Sequence, residues 1–201
     1  MRIGVLSDTH IPDRTDGLPT EVFDLFRGVD MILHAGDVSE QAVLDGLAAI
    51  ARVVAVQGNR DKDRLPWLPQ RTVVTVDHWR IGLIHGTRPR LEELADRLRY
   101  VRGDHHFVDQ RRHVLRAFAD AGVHCIVFGH SHQACQEVQD GVLLFNPGGV
   151  VPSPGGGPSS VGILTVSAEG ITSEVIPLRH PPRSLSLGEQ IRRLAAGRLA
   201  L

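Results

Sequence analysis

The chain has 201 residues, enough for one domain with a well-buried core and too few for two domains of ordinary size. Its 22 basic and 23 acidic side chains nearly cancel, so no overall charge favours a nucleic acid or a membrane surface as a partner. No apolar run approaches the ~18 residues that a membrane-spanning helix requires. An opening strand at 2–6 leaves no room for a signal peptide. Two cysteines, Cys125 and Cys135, are too few for a disulfide framework. We therefore expect a cytoplasmic protein whose two cysteines are small core residues.

Strand-like and helix-like segments alternate in the first part of the chain. Apolar, β-branched runs predict strands at 2–6, 30–34 and 52–56. One helix is predicted after Pro19 and another after Ser39, a candidate N-cap. Their expected buried side chains are Val22, Phe23 and Phe26 in the first helix and Val43, Leu44 and Leu47 in the second. This βαβαβ order predicts a parallel sheet with right-handed crossovers.

From residue 71 the pattern changes to strands that follow one another directly. The runs at 71–77 and 80–85 predict a hairpin, and the tail from 133 to 177 consists mainly of strands. Further strand-like runs are 123–128, 142–146, 161–167 and 171–177. The mixture predicts an α/β fold of two packed mixed β-sheets flanked by helices, in four layers.

A helical insert is predicted at about 88–121. Its first stripe of apolar residues is Leu91, Leu94, Ala95, Leu98 and Val101, and its second is Phe107, Val114, Leu115 and Phe118. Gly103 separates the two stripes, Asp104 is a candidate cap for the second, and the composition of 152–160 predicts a loop. We expect one domain over 1–178 that contains this insert, and a C-terminal tail over 179–201.

Seven side chains of metal-binding type stand in short clusters, several of which follow a predicted strand. The clusters read SDTH, HAGD, GNRD, IHG and GHSH, and the side chains are Asp8, His10, Asp37, Asn59, His85, His130 and His132. Ligands in α/β proteins gather where buried strands end, so these clusters predict one common site. Carboxylate, imidazole and amide donors together suit Mn, Fe, Zn or Ni better than Mg or Ca alone.

The spacing within the clusters indicates how two divalent ions could be held together. Asp8 and His10 are two residues apart, so in an extended strand end their side chains point the same way, and His130 and His132 repeat that spacing. Asp37 follows a glycine and is the natural bridge, because one carboxylate offers an oxygen to each of two ions.

The ordered set of D-x-H, GD, GN-x-D, HG and GH-x-H resembles the calcineurin-like metallophosphoesterase superfamily over roughly residues 1–178. More narrowly, the chain resembles the small prokaryotic phosphodiesterases, which share their fold with a retromer subunit. The resemblance implies that one metal is held by Asp8, His10, Asp37 and His132, and a second by Asp37, Asn59, His85 and His130. The NPGG stretch at 146–149 resembles the family's NPGS turn. The implied chemistry is attack on phosphorus by a hydroxide that bridges two divalent ions, with Mn the first choice.

Two departures from the family pattern bear on the expected catalysis. Many members have GNH, whose His contacts the phosphate, whereas Arg60 stands at that position here. Arginine is a poor proton donor but can bind phosphate oxygens bidentately, so Arg60 is an expected catalytic residue. Asp37 is the other expected catalytic residue, because it is the candidate bridge between the two ions. Thr87 replaces the second His of the family's HGH, and His105 and His106 in the insert are candidate substrate contacts.

The preferred function is hydrolysis of a small or nucleotide-like phosphodiester. The alternatives are a phosphomonoesterase with the same ions and a weakly active scaffold for protein interaction. Apolar residues of the insert or tail could support a homo-oligomer. His34 is interpreted as a strand residue or a partner of a ligand, and Asp61 as a residue that orients the GN turn or pairs with Arg60.

Overall fold

A computed structural model describes residues 1–89, 92–94, 108–152 and 157–179 and contains two five-stranded sheets. The strands are β1 (Arg2–Leu6), β2 (Met31–His34), β3 (Arg52–Ala55), β4 (Arg71–Val76), β5 (Trp79–Ile84), β6 (Cys125–Val127), β7 (Ala134–Gln139), β8 (Val142–Pro147), β9 (Ser160–Val166) and β10 (Ile171–Pro177). The helices with given bounds are α1 (Thr20–Leu25), α2 (Gln41–Ala48) and α3 (Val108–Ala117), and residues 92–94 are also helical.

The first sheet has the order β10-β9-β1-β2-β3. Strands β1, β2 and β3 are parallel, which confirms the parallel sheet predicted from the sequence. Strand β9 adds to the other edge of β1 in the antiparallel direction, and β10 pairs with β9. The carboxyl ends of β1, β2 and β3 therefore lie side by side at one edge of this sheet.

The second sheet has the order β4-β5-β6-β8-β7. Strands β4 and β5 form the predicted antiparallel hairpin, with Val76 opposite Trp79 at its turn. Strands β5, β6 and β8 are parallel, so their carboxyl ends also share one edge. Strand β7 was not predicted as a separate strand, because ACQEVQ is a largely exposed edge strand without an apolar run.

The two sheets pack face to face with helices outside, which confirms the predicted fold class. The core between the sheets contains Val5 and Leu33 from the first sheet and Leu83, Val127 and Phe145 from the second. The outer face of the first sheet is covered by α1 and α2, and the outer face of the second by α3. These outer cores contain Val22, Phe26, Val43 and Leu47 on one side and Val114, Phe118, Ile126 and Leu144 on the other.

Two local predictions differ from the structure. Phe23 is 38% exposed, because α1 ends at Leu25 and so short a helix buries only one stripe. The N-cap of α2 is Glu40, without a side-chain capping bond, and Ser39 has a φ of 74°, which is not the extended conformation of an N-cap. The Ser39 N–H is held by the Asp61 carboxylate at 2.7 Å. Both cysteines are free, as expected, and Cys125 is fully buried.

Part of the predicted insert and tail lies outside the described residues. This holds for the stripe residues Leu91, Ala95, Leu98, Val101 and Phe107, for Gly103 and Asp104, and for the tail from 180 onward. Leu94 is described and is 53% exposed. Within the described ranges no helix has the length and apolarity needed to cross a membrane.

Candidate metal centre

The predicted ligands follow the carboxyl ends of parallel strands in both sheets. Asp8 and His10 come after β1, Asp37 after β2, and Asn59 after β3. In the second sheet His85 follows β5, and His130 and His132 follow β6. Because the two sheets pack with these ends on the same side, residues that are far apart in the chain converge.

Five of the seven predicted ligands have left-handed backbone conformations. Their φ angles are 57° at Asp8, 49° at His10, 55° at Asp37, 69° at His130 and 55° at His132. Such angles are uncommon for residues other than glycine, and they concentrate at functional sites. From their spacing, Asp8 and His10 were expected to lie in an extended strand end. Their left-handed backbone shows that this expectation was wrong. Their side chains converge because the loop is fixed by hydrogen bonds from the Asp8 and His10 N–H groups to the carbonyls of Gly36 and Asp37, both 3.0 Å.

One cluster consists of Asp8, His10 and His132, whose donor atoms lie within 4.8 Å of one another. The Nε2 atoms of His10 and His132 are 3.7 and 3.3 Å from Asp8 Oδ1. These two nitrogens are only 3.3 Å apart, so both rings could bind one cation placed between them.

A second cluster consists of Asp8, Asp37 and His85. His85 Nε2 lies 3.5 Å from Asp37 Oδ1 and 4.0 Å from Asp8 Oδ1. The other oxygen of Asp37, Oδ2, lies 3.7 Å from His10 Nε2. Asp8 thus belongs to both clusters, while the two oxygens of Asp37 face histidines of different clusters.

Burial and the neighbouring charges determine the protonation of these groups. Burial opposes ionisation of Asp8, but the charges of His132 and His85 outweigh it and keep the pKa of Asp8 below its ordinary value. Burial lowers the pKa of His10 to about 3. Burial also acts against protonation of His85, yet the Asp37 carboxylate raises the pKa of His85 to about 10. Ionised carboxylates and a neutral His10 are the forms that bind cations, and binding at His85 would release its proton.

The donor set fits divalent cations. Asp8 Oδ1 and His85 Nε2 are buried and have no hydrogen-bond partner among the described residues. The opposite ring nitrogen of His85, Nδ1, lies 2.6 Å from the Ala35 carbonyl, and that of His132 lies 2.8 Å from the Val151 carbonyl. Histidines that bind metals commonly donate one N–H to a carbonyl and bind the ion through the other nitrogen. The site could therefore hold divalent metal ions.

Asn59 and His130 lie at the margin of these clusters. Asn59 is exposed, and its Oδ1 accepts a hydrogen bond from the Thr87 hydroxyl at 3.5 Å. The His130 ring lies 5.1 Å from the His85 ring, and its backbone N–H donates to Asp8 Oδ2 at 3.0 Å. Neither residue belongs to the two clusters.

Asp61 organises the loops that carry the candidate ligands. Its fully buried carboxylate accepts backbone N–H bonds from Val38 at 3.2 Å, Ser39 at 2.7 Å and Gly58 at 2.8 Å. It therefore orients the GN turn, which was one of the two interpretations drawn from the sequence. Among the described residues it forms no ion pair with Arg60, whose backbone N–H donates to Asp37 Oδ1 at 2.8 Å instead.

His34 forms hydrogen bonds with the two loops that carry Asp8 and Asp37. Its Nδ1 accepts the Gly36 N–H at 3.2 Å, so its Nε2–H donates to the Thr9 hydroxyl at 3.1 Å. The ring is fully buried, and burial lowers its pKa to about 4. Both nitrogens are occupied, so His34 is a partner of the ligand loops and not a ligand.

The NPGG stretch supports the GHSH loop. The Asn146 amide donates to the Gly129 carbonyl at 3.0 Å and to the Ser131 hydroxyl at 3.1 Å. A Cβ atom at Gly149 would overlap the His132 ring, so only glycine lets that ring approach. Gln110 of α3 also donates to the Gly129 carbonyl at 2.9 Å, which ties the insert to the same loop.

The structure brings two residues to the site that the sequence did not single out. Glu93 lies 2.8 Å from His130 Nε2, and this hydrogen bond lowers the pKa of Glu93 to about 2. Arg14 is partly buried, and burial followed by the charge of Arg60 lowers its pKa, whereas Asp8 and Asp37 act in the opposite direction. No spacing rule links either residue to the motifs. His105 and His106 lie outside the described residues.

Comparisons with known proteins identify the family of this chain. The model of the calcineurin-like phosphoesterase superfamily domain matches residues 1–169. A probable metallophosphoesterase of Methanothermobacter thermautotrophicus is 38% identical over 182 residues, which are 90% of this chain and 95% of that protein. A phosphodiesterase of Methanocaldococcus jannaschii is 27% identical over 157 residues, which are 74% of this chain and 83% of that protein.

Solved structures show the same fold at lower sequence identity. Vacuolar protein sorting 29 from Cryptosporidium parvum is 22% identical and has a TM-score of 0.68, with 90% of this chain and 92% of that chain covered. Because the family model spans most of the sequence and the first methanogen protein matches nearly end to end, the chain belongs to the calcineurin-like phosphoesterase superfamily.

Proposed function

We propose that the protein is a phosphoesterase that depends on two divalent cations and hydrolyses a small or nucleotide-like phosphodiester. The observation that carries the proposal is the position of Asp37 between two histidines. Its Oδ1 lies 3.5 Å from His85 Nε2 and its Oδ2 lies 3.7 Å from His10 Nε2. A carboxylate in this position can offer one oxygen to each of two neighbouring ions.

The two ions would be held by overlapping sets of residues. The first set is Asp8, His10, Asp37 and His132, and the second is Asp37, Asn59, His85 and His130. Manganese is our first choice, with iron, zinc or nickel as alternatives for this mixture of donors. Bound divalent ions would supply acidified water and neutralise charge on the phosphoryl oxygens.

The chain's own cations would bind and orient the phosphate. Arg60 lies next to the bridging candidate, since its backbone N–H donates to Asp37 Oδ1. Arg14 is a second candidate, because Arg60, Asp8 and Asp37 all influence the pKa of its guanidinium. Guanidinium groups bind phosphate oxygens in bidentate fashion and stabilise charge that grows on them. Neither is a useful proton donor, which favours esters with good leaving groups.

The name of one relative supports the diester preference. The Methanocaldococcus protein is named a phosphodiesterase, and it shares 27% of aligned residues with this chain. A phosphomonoesterase with the same ions remains the alternative enzyme. A scaffold for protein interaction is the alternative outside enzymology, and a likeness to vacuolar protein sorting 29 at 22% identity shows only that the fold is shared.

Hydrolysis assays distinguish these functions. Purified protein with Mn²⁺ is assayed on bis-p-nitrophenyl phosphate and on p-nitrophenyl phosphate, beside an Asp37→Ala variant and an Asp120→Ala control at an exposed position remote from the site. We expect faster turnover of the diester, loss of activity in Asp37→Ala and no change in Asp120→Ala. Faster turnover of the monoester would mean that the protein is a phosphomonoesterase and not a phosphodiesterase. Bound metal without hydrolysis of either ester would favour the scaffold.

A further inference from the structure

His130 differs from the other histidines of the site in the ring nitrogen that is occupied. In His85 and His132 the Nδ1 atom contacts a backbone carbonyl, and Nε2 points to the carboxylates. In His130 it is Nε2 that is occupied, because Glu93 Oε1 lies 2.8 Å from it. If His130 binds a cation, the nitrogen left for the ion is Nδ1.

The Glu93 carboxylate is held in place by its own surroundings. The Arg88 N–H donates to the same oxygen, Oε1, at 3.1 Å. The turn that carries Glu93 is closed by N–H bonds from Glu92 and Glu93 to the Pro89 carbonyl, at 3.0 and 3.2 Å. The side chains of His130 and Glu93 are 22% and 20% exposed, so the pair is mostly shielded from water. This contact is therefore more than one between two mobile surface side chains.

The chain path connects this carboxylate to the site directly. Residues 86–92 are all that separate His85 from Glu93, so one stretch that leaves β5 carries a candidate ligand and then the partner of another. Histidines that bind metals commonly donate their second ring N–H to a carboxylate, which sets the tautomer and orientation of the ring.

We propose that Glu93 is a positioning residue for the second cation: it accepts the Nε2–H of His130 and so presents Nδ1 of that ring to the ion. This inference rests on the proposed function only in its assumption that a second cation binds at His130. It assigns to the insert a role in metal affinity that the family motifs do not contain. Glu93 itself need not contact the ion or the substrate.

Metal binding to three variants tests the role. Wild type, Glu93→Ala, Glu93→Gln and the control Glu92→Ala, an exposed neighbour, are titrated with Mn²⁺ by calorimetry, and bound ions are counted after dialysis. Loss of such a partner weakens metal affinity by about 10–100-fold, so Glu93→Ala should lose that much at the second site only. The second-site affinity of Glu93→Gln should lie between those of wild type and Glu93→Ala, because the glutamine amide oxygen accepts the N–H without a charge. Glu92→Ala should match wild type.

A spectroscopic measurement separates positioning from a general structural effect. In the Zn²⁺-loaded protein, ¹⁵N chemical shifts should show His130 protonated at Nε2 and bound through Nδ1. Equal second-site affinity in wild type and Glu93→Ala, or a His130 ring bound through Nε2, would overturn the positioning role alone. Two bound ions without hydrolysis would overturn the proposed function alone. A wild-type protein that binds a single ion would overturn both.

Discussion

His10 and His132 stack with their rings nearly parallel, 5.2 Å between centroids and 4° between planes. His10 follows β1 in the first sheet, and His132 follows β6 in the second. The contact therefore joins the two sheets at the candidate metal centre. A cation bound by both rings would bridge the halves of the fold, which couples metal binding to stability.

Manganese should stabilise the protein against heat. A ligand present at one hundred times its dissociation constant contributes ~2.7 kcal/mol to the free energy of unfolding. For a chain of this size that corresponds to a rise in Tm of about 5–10 °C. Differential scanning calorimetry with Mn²⁺ and with EDTA measures the change.

His132→Ala should lose most of that manganese effect, whereas His78→Ala should keep it. His78 is exposed in the turn between β4 and β5, at the strand ends opposite His85. An equal rise in Tm for both variants would mean that manganese binds elsewhere.

Replacing Asp61 by Asn should destabilise the fold by ~3 kcal/mol, because a carboxylate that accepts buried N–H groups would become an amide whose NH₂ faces a donor. The three N–H groups affected belong to Val38, Ser39 and Gly58. Urea denaturation measures the free energy of unfolding. The exposed Asp63→Asn is the matched control, and a similar loss in both variants would contradict the role of Asp61.

Two glycine-to-alanine changes should act in opposite directions. A Cβ atom at Gly162 of β9 would overlap the Phe145 ring of the facing sheet, so Gly162→Ala should cost about 1–3 kcal/mol. Gly46 lies in α2 with open space around its Cα, so Gly46→Ala should add about 0.5–1 kcal/mol of stability. Thermal unfolding of both variants checks the signs, and a stable Gly162→Ala protein would show that the sheets can separate there without cost.

Loss of the Arg60 guanidinium should impair catalysis without affecting metal binding. A hydrogen bond to a charged group contributes about 1.5–3 kcal/mol, so kcat/KM for the diester should fall roughly 10–100-fold in Arg60→Ala. Arg112→Ala is the control, since its side chain is 62% exposed on α3. Manganese content should equal that of wild type in both variants. Unchanged kcat/KM in Arg60→Ala would leave Arg14 as the phosphate contact.

The edge strand β7 and the loop before α2 show where prediction from sequence patterns fails. Strand β7 lacks an apolar run because it lies at the edge of its sheet, with most of its residues exposed. The N-cap expected at Ser39 was wrong because Ser39 lies in the loop before α2, where its N–H is held by Asp61, 22 residues away, and its φ is 74°. Both errors come from contacts that a local window of sequence does not contain.

Sequence by itself determined the fold class, the parallel β1-β2-β3 arrangement and the cluster of ligand-type residues at the strand ends. These follow from local rules, since apolar periodicity specifies strands and a polar residue after a buried strand is delivered to the sheet edge. Tertiary structure alone decided the distances from Asp37 to His10 and His85, that Asp61 joins two loops, and that Glu93 and Arg14 reach the site. The physical reason is that these contacts depend on how two sheets and an insert pack, and their distances are set by side chains far apart in the chain.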